Sequence, residues 1–153
     1  GKAEVADVET AVSSMKTLNK KAAEAAFQAQ AHAMTDITGF GLLGHAHEMA
    51  HLGHVDFRFW VGKLPWLPGA IRYGELGAFP GGMGRNREYF APWVQFVPGV
   101  SLLIQDLLWT PETSGGLLVA VAPDQVTTFQ AYCETAVVVG EVLPGNGRIH
   151  VES

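Results

Sequence analysis

At 153 residues, the chain is long enough to bury a core of its own without a disulfide or metal to hold it together. Charged residues make up 16% of it and hydrophobic ones 48%, an apolar balance that points to a well-filled core or to surface covered by another domain or subunit. A net charge of −5 with no run of Lys or Arg leaves no footprint for a nucleic-acid backbone or an anionic membrane surface, and the apolar stretches 94–104 and 117–122 are too short or broken to cross a bilayer.

From Val8 onward, Val8, Ala11, Met15, Leu18, Ala22, Ala25 and Ala29 recur at spacings of three and four, with Lys16, Lys20, Lys21 and Glu24 on the other faces. This pattern predicts one amphipathic helix with an Ala-rich packing stripe. Residues 33–38 read as a short strand that leads through a Gly-rich entry, 39–44, into a helix ending near Leu52. Val55, Phe57, Phe59 and Val61 alternate with His54, Asp56, Arg58 and Trp60, which predicts a strand with one buried face. Residues 65–74 suit a helix, 76–84 a loop rich in Gly and Pro, and 86–97 and 101–109 two short elements. Residues 117–122 read as a fully buried strand, and Val126, Phe129 and Cys133 as a helix stripe. Residues 137–142 form a strand that Pro144, Gly145, Asn146 and Gly147 would turn into a hairpin with 148–151. The expected fold is α+β, a mixed β-sheet with flanking helices in one domain, 1–153. Glu4, Asp7 and Glu9 do not suit a signal peptide, and the lone Cys133 cannot form an internal disulfide, so a cytoplasmic site is expected.

Segment 34–54 carries most of the chemistry, and its residues support three readings. Gly39, Gly41 and Gly44 spell GxGxxG between a strand and a helix, the dinucleotide fingerprint, with Asp56 as the acid expected about 20 residues on. Thr35, Asp36 and Thr38 intrude where that fold wants an apolar strand. His47, Glu48 and His51 spell HExxH, two imidazoles one helical turn apart for zinc with Glu48 to activate water, as in a zinc metallohydrolase. Gly53 and His54 come too early to extend that motif, which leaves His45, His54 or His150 as a third ligand. In the third reading Asp36 offers Mg²⁺ a hard carboxylate at a strand end, and Thr35 and Thr38 add hydroxyls. Gly39 and Gly41 let the backbone come close, and free amides at the helix start favour an anion, so the design suits a Mg-bound phosphate chain. Helix capping by Asp36 or Thr38 is the structural alternative.

TDITGFGLLGHAHEM, at 35–49, resembles the TDxTGFGLLGH signature of the selenophosphate synthetase (selenide, water dikinase) family. TPETSGGLLVAVAP, at 110–123, is similar to that family's DPQTSGGLL segment. Pro80, Gly81 and Gly82 with Arg85 and Asn86 are similar to its Gly-Gly then Arg-Asn loop, and SMKTLN, at 14–19, to the helix that opens its C-terminal domain. The likeness to other ATP-using enzymes, such as aminoimidazole ribonucleotide synthetase, is looser and concerns the fold.

The resemblance implies the C-terminal domain type of the aminoimidazole ribonucleotide synthetase-like superfamily, in a homodimeric enzyme that turns selenide, ATP and water into selenophosphate, AMP and phosphate. It implies that the reactive Cys or selenocysteine, its Lys partner and most metal-binding carboxylates belong to the protein's own N-terminal domain, absent from this chain. ATP and Mg²⁺ are then held mainly by that domain, and this chain alone is expected to be inactive, with no catalytic residue of its own. Position by position, Asp36 matches the family's metal-binding Asp. Thr35, Thr38, Gly39, Gly41, Arg85, Asn86, Thr113, Ser114, Gly115 and Gly116 are the candidates for binding nucleotide or phosphate. A tight turn feeding a strand accounts equally for 113–116, and a surface ion pair for Arg85. Thr110 and Glu112 stand where the family has Asp and Gln, and Met83 where a small hydroxyl residue is commoner. Cys133 has no Gly-rich loop or Lys beside it and is not assigned the nucleophile's role.

Overall fold

The computed structural model describes residues 3–153 and opens with two helices, α1 (Val5–Lys16) and α2 (Lys20–Gln28). The apolar periodicity predicts a single helix here, but Thr17 takes extended backbone (φ −70°, ψ 121°) and breaks it. Its hydroxyl donates to the Ser13 carbonyl at 3.0 Å. The Thr side chain competes for backbone partners, and at Thr17 that outweighs the periodicity. Then follow β1 (Ala33–Asp36), α3 (Gly41–Gly53), β2 (Val55–Trp60), α4 (Ala70–Glu75), α5 (Gly82–Phe90), β3 (Val94–Phe96), α6 (Leu102–Leu108), β4 (Leu117–Ala120), α7 (Val126–Tyr132), β5 (Gly140–Pro144) and β6 (Ile149–Glu152). The helix expected at 65–74 starts later, at Ala70, because Pro65 and Pro68 cannot supply the amides of a helix interior. β4 is half-buried along its length, not fully buried as expected, because it lies in a sheet with only one partner.

The larger sheet has four strands in the order β3-β6-β2-β5, with β6 parallel to both neighbours and β5 antiparallel to β2. Phe57, Phe59, Ile149 and Val151 bury one face of it with Leu43, Ala46 and Ala50 of α3 and with Phe90, Leu108 and Trp109. The smaller sheet is the antiparallel pair β1 and β4, and beside it α2 packs on α7 through Ala25, Ala26, Ala29 and Phe129. This is the expected α+β arrangement of a mixed sheet with flanking helices.

The hairpin expected between β5 and β6 does not form, because β2 lies between the two strands. Asp56 explains the detour. One carboxylate oxygen, Oδ1, accepts the amides of Asn146 and Arg148, each at 2.8 Å, and Oδ2 meets His150 Nε2 at 3.2 Å. The turn is thereby drawn across the start of β2, where Gly147 N–H donates to the Val55 carbonyl at 2.8 Å. Gly147 (φ +95°) passes under α3 so closely that a Cβ would lie 3.0 Å from His51 Cα. The strand expected at 137–142 is accordingly shifted to Gly140–Pro144, which places Pro144 opposite Val55.

Burial alone would raise the Asp56 carboxyl, but hydrogen bonds from Arg148, His150 and Asn146 outweigh it and hold the group below its ordinary value of 3.8. The stability this contributes is full above pH 3.8 and is lost as pH falls through the lower folded-state value. Asp56→Ala is expected to cost about 1–3 kcal/mol in chemical denaturation at pH 7, because it strips the two amides of their acceptor. The gap to the wild type should close in the acid range below 3.8.

Candidate functional site

The site is built where the β1–β4 ladder runs past both strands. Asp36 lies opposite Leu117, and beyond that pair Ile37 N–H donates to the Gly116 carbonyl at 3.0 Å. Gly115 N–H donates to the Ile37 carbonyl at 2.9 Å, and Glu112 N–H to the Thr38 carbonyl at 2.8 Å. These bonds pin segment 35–41 against segment 110–116. Asn86, buried on α5, adds a third segment by donating from Nδ2 to the carbonyls of Gly39 and Trp109, each at 3.0 Å. Gly41 begins α3 at φ +68°, where a Cβ would sit 2.5 Å from the Thr110 carbonyl oxygen, so glycine is required for the close approach. Gly44 has a similar role inside the helix, since a Cβ there would come within 2.7 Å of the Phe90 ring.

Asp36 is exposed, and among the described residues its carboxylate has neither a hydrogen bond nor an ion pair. It does not cap α3, whose N-cap is Phe40 with no side-chain cap bond. Thr38 is engaged elsewhere, its hydroxyl 3.1 Å from His45 Nε2. That nitrogen also accepts the Phe40 amide at 3.4 Å, so the His45 proton sits on Nδ1 and is donated to Glu48 Oε2 at 3.2 Å. In the facing turn, Gly115 N–H is spent on Ile37, whereas the main-chain N–H groups of Thr113, Ser114 and Gly116 have no backbone partner among the described residues. A carboxylate and a row of free amides therefore flank one junction, an arrangement that can take a cation and an anion side by side. Burial pushes the Glu112 carboxyl, in the same turn, up to about 7.

The family model described as AIR synthase related protein, C-terminal domain, matches residues 2–152. The chain belongs to that family. It is also similar to proteins named "Selenide, water dikinase": it is 39% identical over 145 residues to the one from Burkholderia ambifaria, covering 92% of this chain and 41% of that protein. The match to the protein of the same name from Pelobacter propionicus is 40% over 140 residues (88% and 40%), and to that from Clostridium botulinum 36% over 149 residues (93% and 43%). The chain thus spans about two fifths of the length of these relatives.

In this member of the AIR synthase related family, ten of the residues singled out in the sequence lie at the junction: Thr35, Asp36, Thr38, Gly39, Gly41, Asn86, Thr113, Ser114, Gly115 and Gly116. Arg85 does not join them, and lines a shallow groove with Glu88, Tyr89 and Trp93. Asn86 acts as a tie between segments, because its amide is consumed by two carbonyls. His45 escaped the sequence reading of the site, where it stood only as a spare zinc ligand. Its signal is the seven-residue step from Thr38 and the helical step to Glu48.

The dinucleotide reading fails because β1 pairs antiparallel with β4 while β2 belongs to the other sheet, so no parallel βαβ unit exists here, and Asp56 is consumed by the 146–150 turn. The zinc reading fails on direction. His47 is buried, stacked on Trp93 at 4.5 Å between ring centroids, and donates from Nδ1 to the Gly147 carbonyl at 2.8 Å. Glu48 lies on another face of the helix with His45, and the described residues include no group of three His, Cys, Asp or Glu side chains able to hold a metal. Asn86→Ala is expected to cost about 1–3 kcal/mol in chemical denaturation, since it leaves the buried Trp109 carbonyl and the part-buried Gly39 carbonyl without this donor. Arg85→Ala, on the open surface, should stay within about 0.5 kcal/mol of the wild type.

Proposed function

We propose that this chain is the C-terminal part of a selenide, water dikinase, and that it presents Asp36 and the 112–116 turn to a Mg-bound phosphate chain held mainly by an N-terminal ATP-binding domain. One observation carries the reading: the unpartnered Asp36 carboxylate stands at the point where the two motif segments are pinned together. Mg²⁺ takes oxygen ligands, keeps several waters, and is commonly shared between one or two carboxylates and the substrate's phosphates. A lone carboxylate beside free amides fits one wall of such a shared site.

When bound, Mg²⁺ would neutralise phosphate charge and keep the transferring group aligned. The chain's own residues have narrower tasks. Asp36 would hold the cation, while the amides of Thr113, Ser114 and Gly116 would receive phosphate oxygens. Thr35 donates its hydroxyl to the Asp36 carbonyl at 3.2 Å, and Thr38, held by His45, fixes the course of the loop. Gly39 leaves open space where a side chain would stand, Gly41 lets α3 start against the Thr110 carbonyl, and Asn86 locks that backbone in place. The same reading makes the whole enzyme a cytoplasmic homodimer that takes selenide, ATP and water to selenophosphate, AMP and phosphate. It also leaves this chain inactive by itself.

The test joins this chain to the N-terminal region of the Burkholderia ambifaria relative and follows AMP formation from ATP, with Mg²⁺, with and without selenide. Selenide-dependent AMP formation is the expected result. Changes around a metal ligand already cost about 10–100-fold, so Asp36→Asn should lose more than about 100-fold. Wild-type turnover of ATP that ignores selenide would point to another ATP-using activity of the superfamily, and no turnover at all would overturn the reading.

A further inference from the structure

Glu112 is the one charged residue within the 112–116 turn. Its main chain is fixed by the bond to Thr38, and its side chain folds back so that the carboxyl fills the space where a Cβ on Gly115 would stand. The residue as a whole remains exposed, but no ion pair or hydrogen bond reaches this carboxyl among the described residues. The charged and titratable groups on the elements packed around the turn are Asp36 on β1, His45, His47, Glu48 and His51 on α3, Arg85, Arg87, Glu88 and Tyr89 on α5, and Asp106 on α6. His45 is engaged by Glu48 and Arg87 by Asp106. Glu112 therefore places an uncompensated acid next to the free amides of Thr113, Ser114 and Gly116.

We propose that Glu112 is a specificity-determining residue of this turn: while ionised it excludes a free tetrahedral oxyanion from the amides, and when neutral it admits one. The proposal rests on reading the turn as phosphate-facing. Its physical basis is charge placement. Amides at a turn attract an anion through partial positive charge, and a full negative charge in van der Waals contact with the same turn cancels that attraction. A neutral carboxyl leaves the amides unopposed.

Although the residue as a whole is exposed, its carboxyl is folded onto Gly115 and away from water, which raises it to about 7 and sets the switch near neutral pH. The neutral fraction drops from about nine tenths at pH 6 to about one tenth at pH 8, and apparent affinity scales with the competent fraction, giving an expected change of about tenfold. The same shift has a stability signature with a fixed sign. Between 4.5 and about 7 the folded chain keeps a proton that the unfolded chain has released, so stability falls as pH rises through that window.

The test uses sulfate, whose charge is constant from pH 6 to 8, and follows the amide resonances of Ser114 and Gly116 in the wild type and in Glu112→Gln. The wild type should bind sulfate about tenfold more weakly at pH 8 than at pH 6. Glu112→Gln should bind equally at both, at the wild type's pH 6 strength. It keeps His45, so a histidine effect would survive in it. Melting curves across pH 5–8 supply a second readout, with the wild type losing stability through that range and the variant losing less. Equal wild-type affinity at the two pH values overturns the proposal, as does a variant that binds more weakly than the wild type at pH 6. Sulfate binding by neither protein sinks the phosphate-facing reading of the turn itself, and this proposal with it.

Discussion

Three main-chain hydrogen bonds beyond the last paired residues of β1 and β4, from Ile37 to Gly116, Gly115 to Ile37 and Glu112 to Thr38, hold two distant stretches of sequence in one place. Each contributes on the order of 1 kcal/mol net, a modest amount alone. Their leverage comes from what they extend. Leu118 on β4 packs against the main core while Val119, its neighbour, packs against the smaller one, so the same short strand ties both cores to the site. Asn86 and Gly41 then fit α5 and α3 around the pinned segments. Disturbing the ladder would move the site and loosen the seam between the cores together.

Two aspartates show how hydrogen-bond inventory separates structure from function. Asp56 spends its carboxylate on two amides and an imidazole, and in return sets the path of the chain across β2. Asp36 spends nothing, which costs little because water solvates it. A carboxylate with no protein partner at a strongly ordered junction is available to a cation, and one with three partners is not.

Much of the fold was legible because its signals are local. The period-two alternation of Val55, Phe57 and Phe59 specifies a half-buried strand, and the Gly-rich entry after Asp36 specifies a close-packed helix start. The parallel pairing of β6 was not legible, because it depends on Asp56 capturing amides 90 and 92 positions away. Gly145, Asn146 and Gly147 do bend as the sequence suggests, but Pro144 belongs to β5, and the bend spans a strand instead of joining two paired ones. HExxH misled for a geometric reason: along α3, His47 points into the core toward Trp93 while Glu48 turns to His45, and one-dimensional spacing does not say which face is buried. At the site the motif strings named the segments that the structure brings together, but not that Asn86 would be consumed as a tie and Arg85 left outside.

The central claim is that the Asp36 junction is the cation-facing and anion-facing surface of this chain. Paramagnetic broadening by Mn²⁺, added with ATP as a stand-in for the Mg²⁺ complex and read residue by residue from amide resonances, tests it most directly. The account predicts that broadening begins at residues 35–39 and 113–116 and disappears in Asp36→Asn. Broadening centred on His47 and His51, or spread evenly over the surface and unchanged by that substitution, would contradict it.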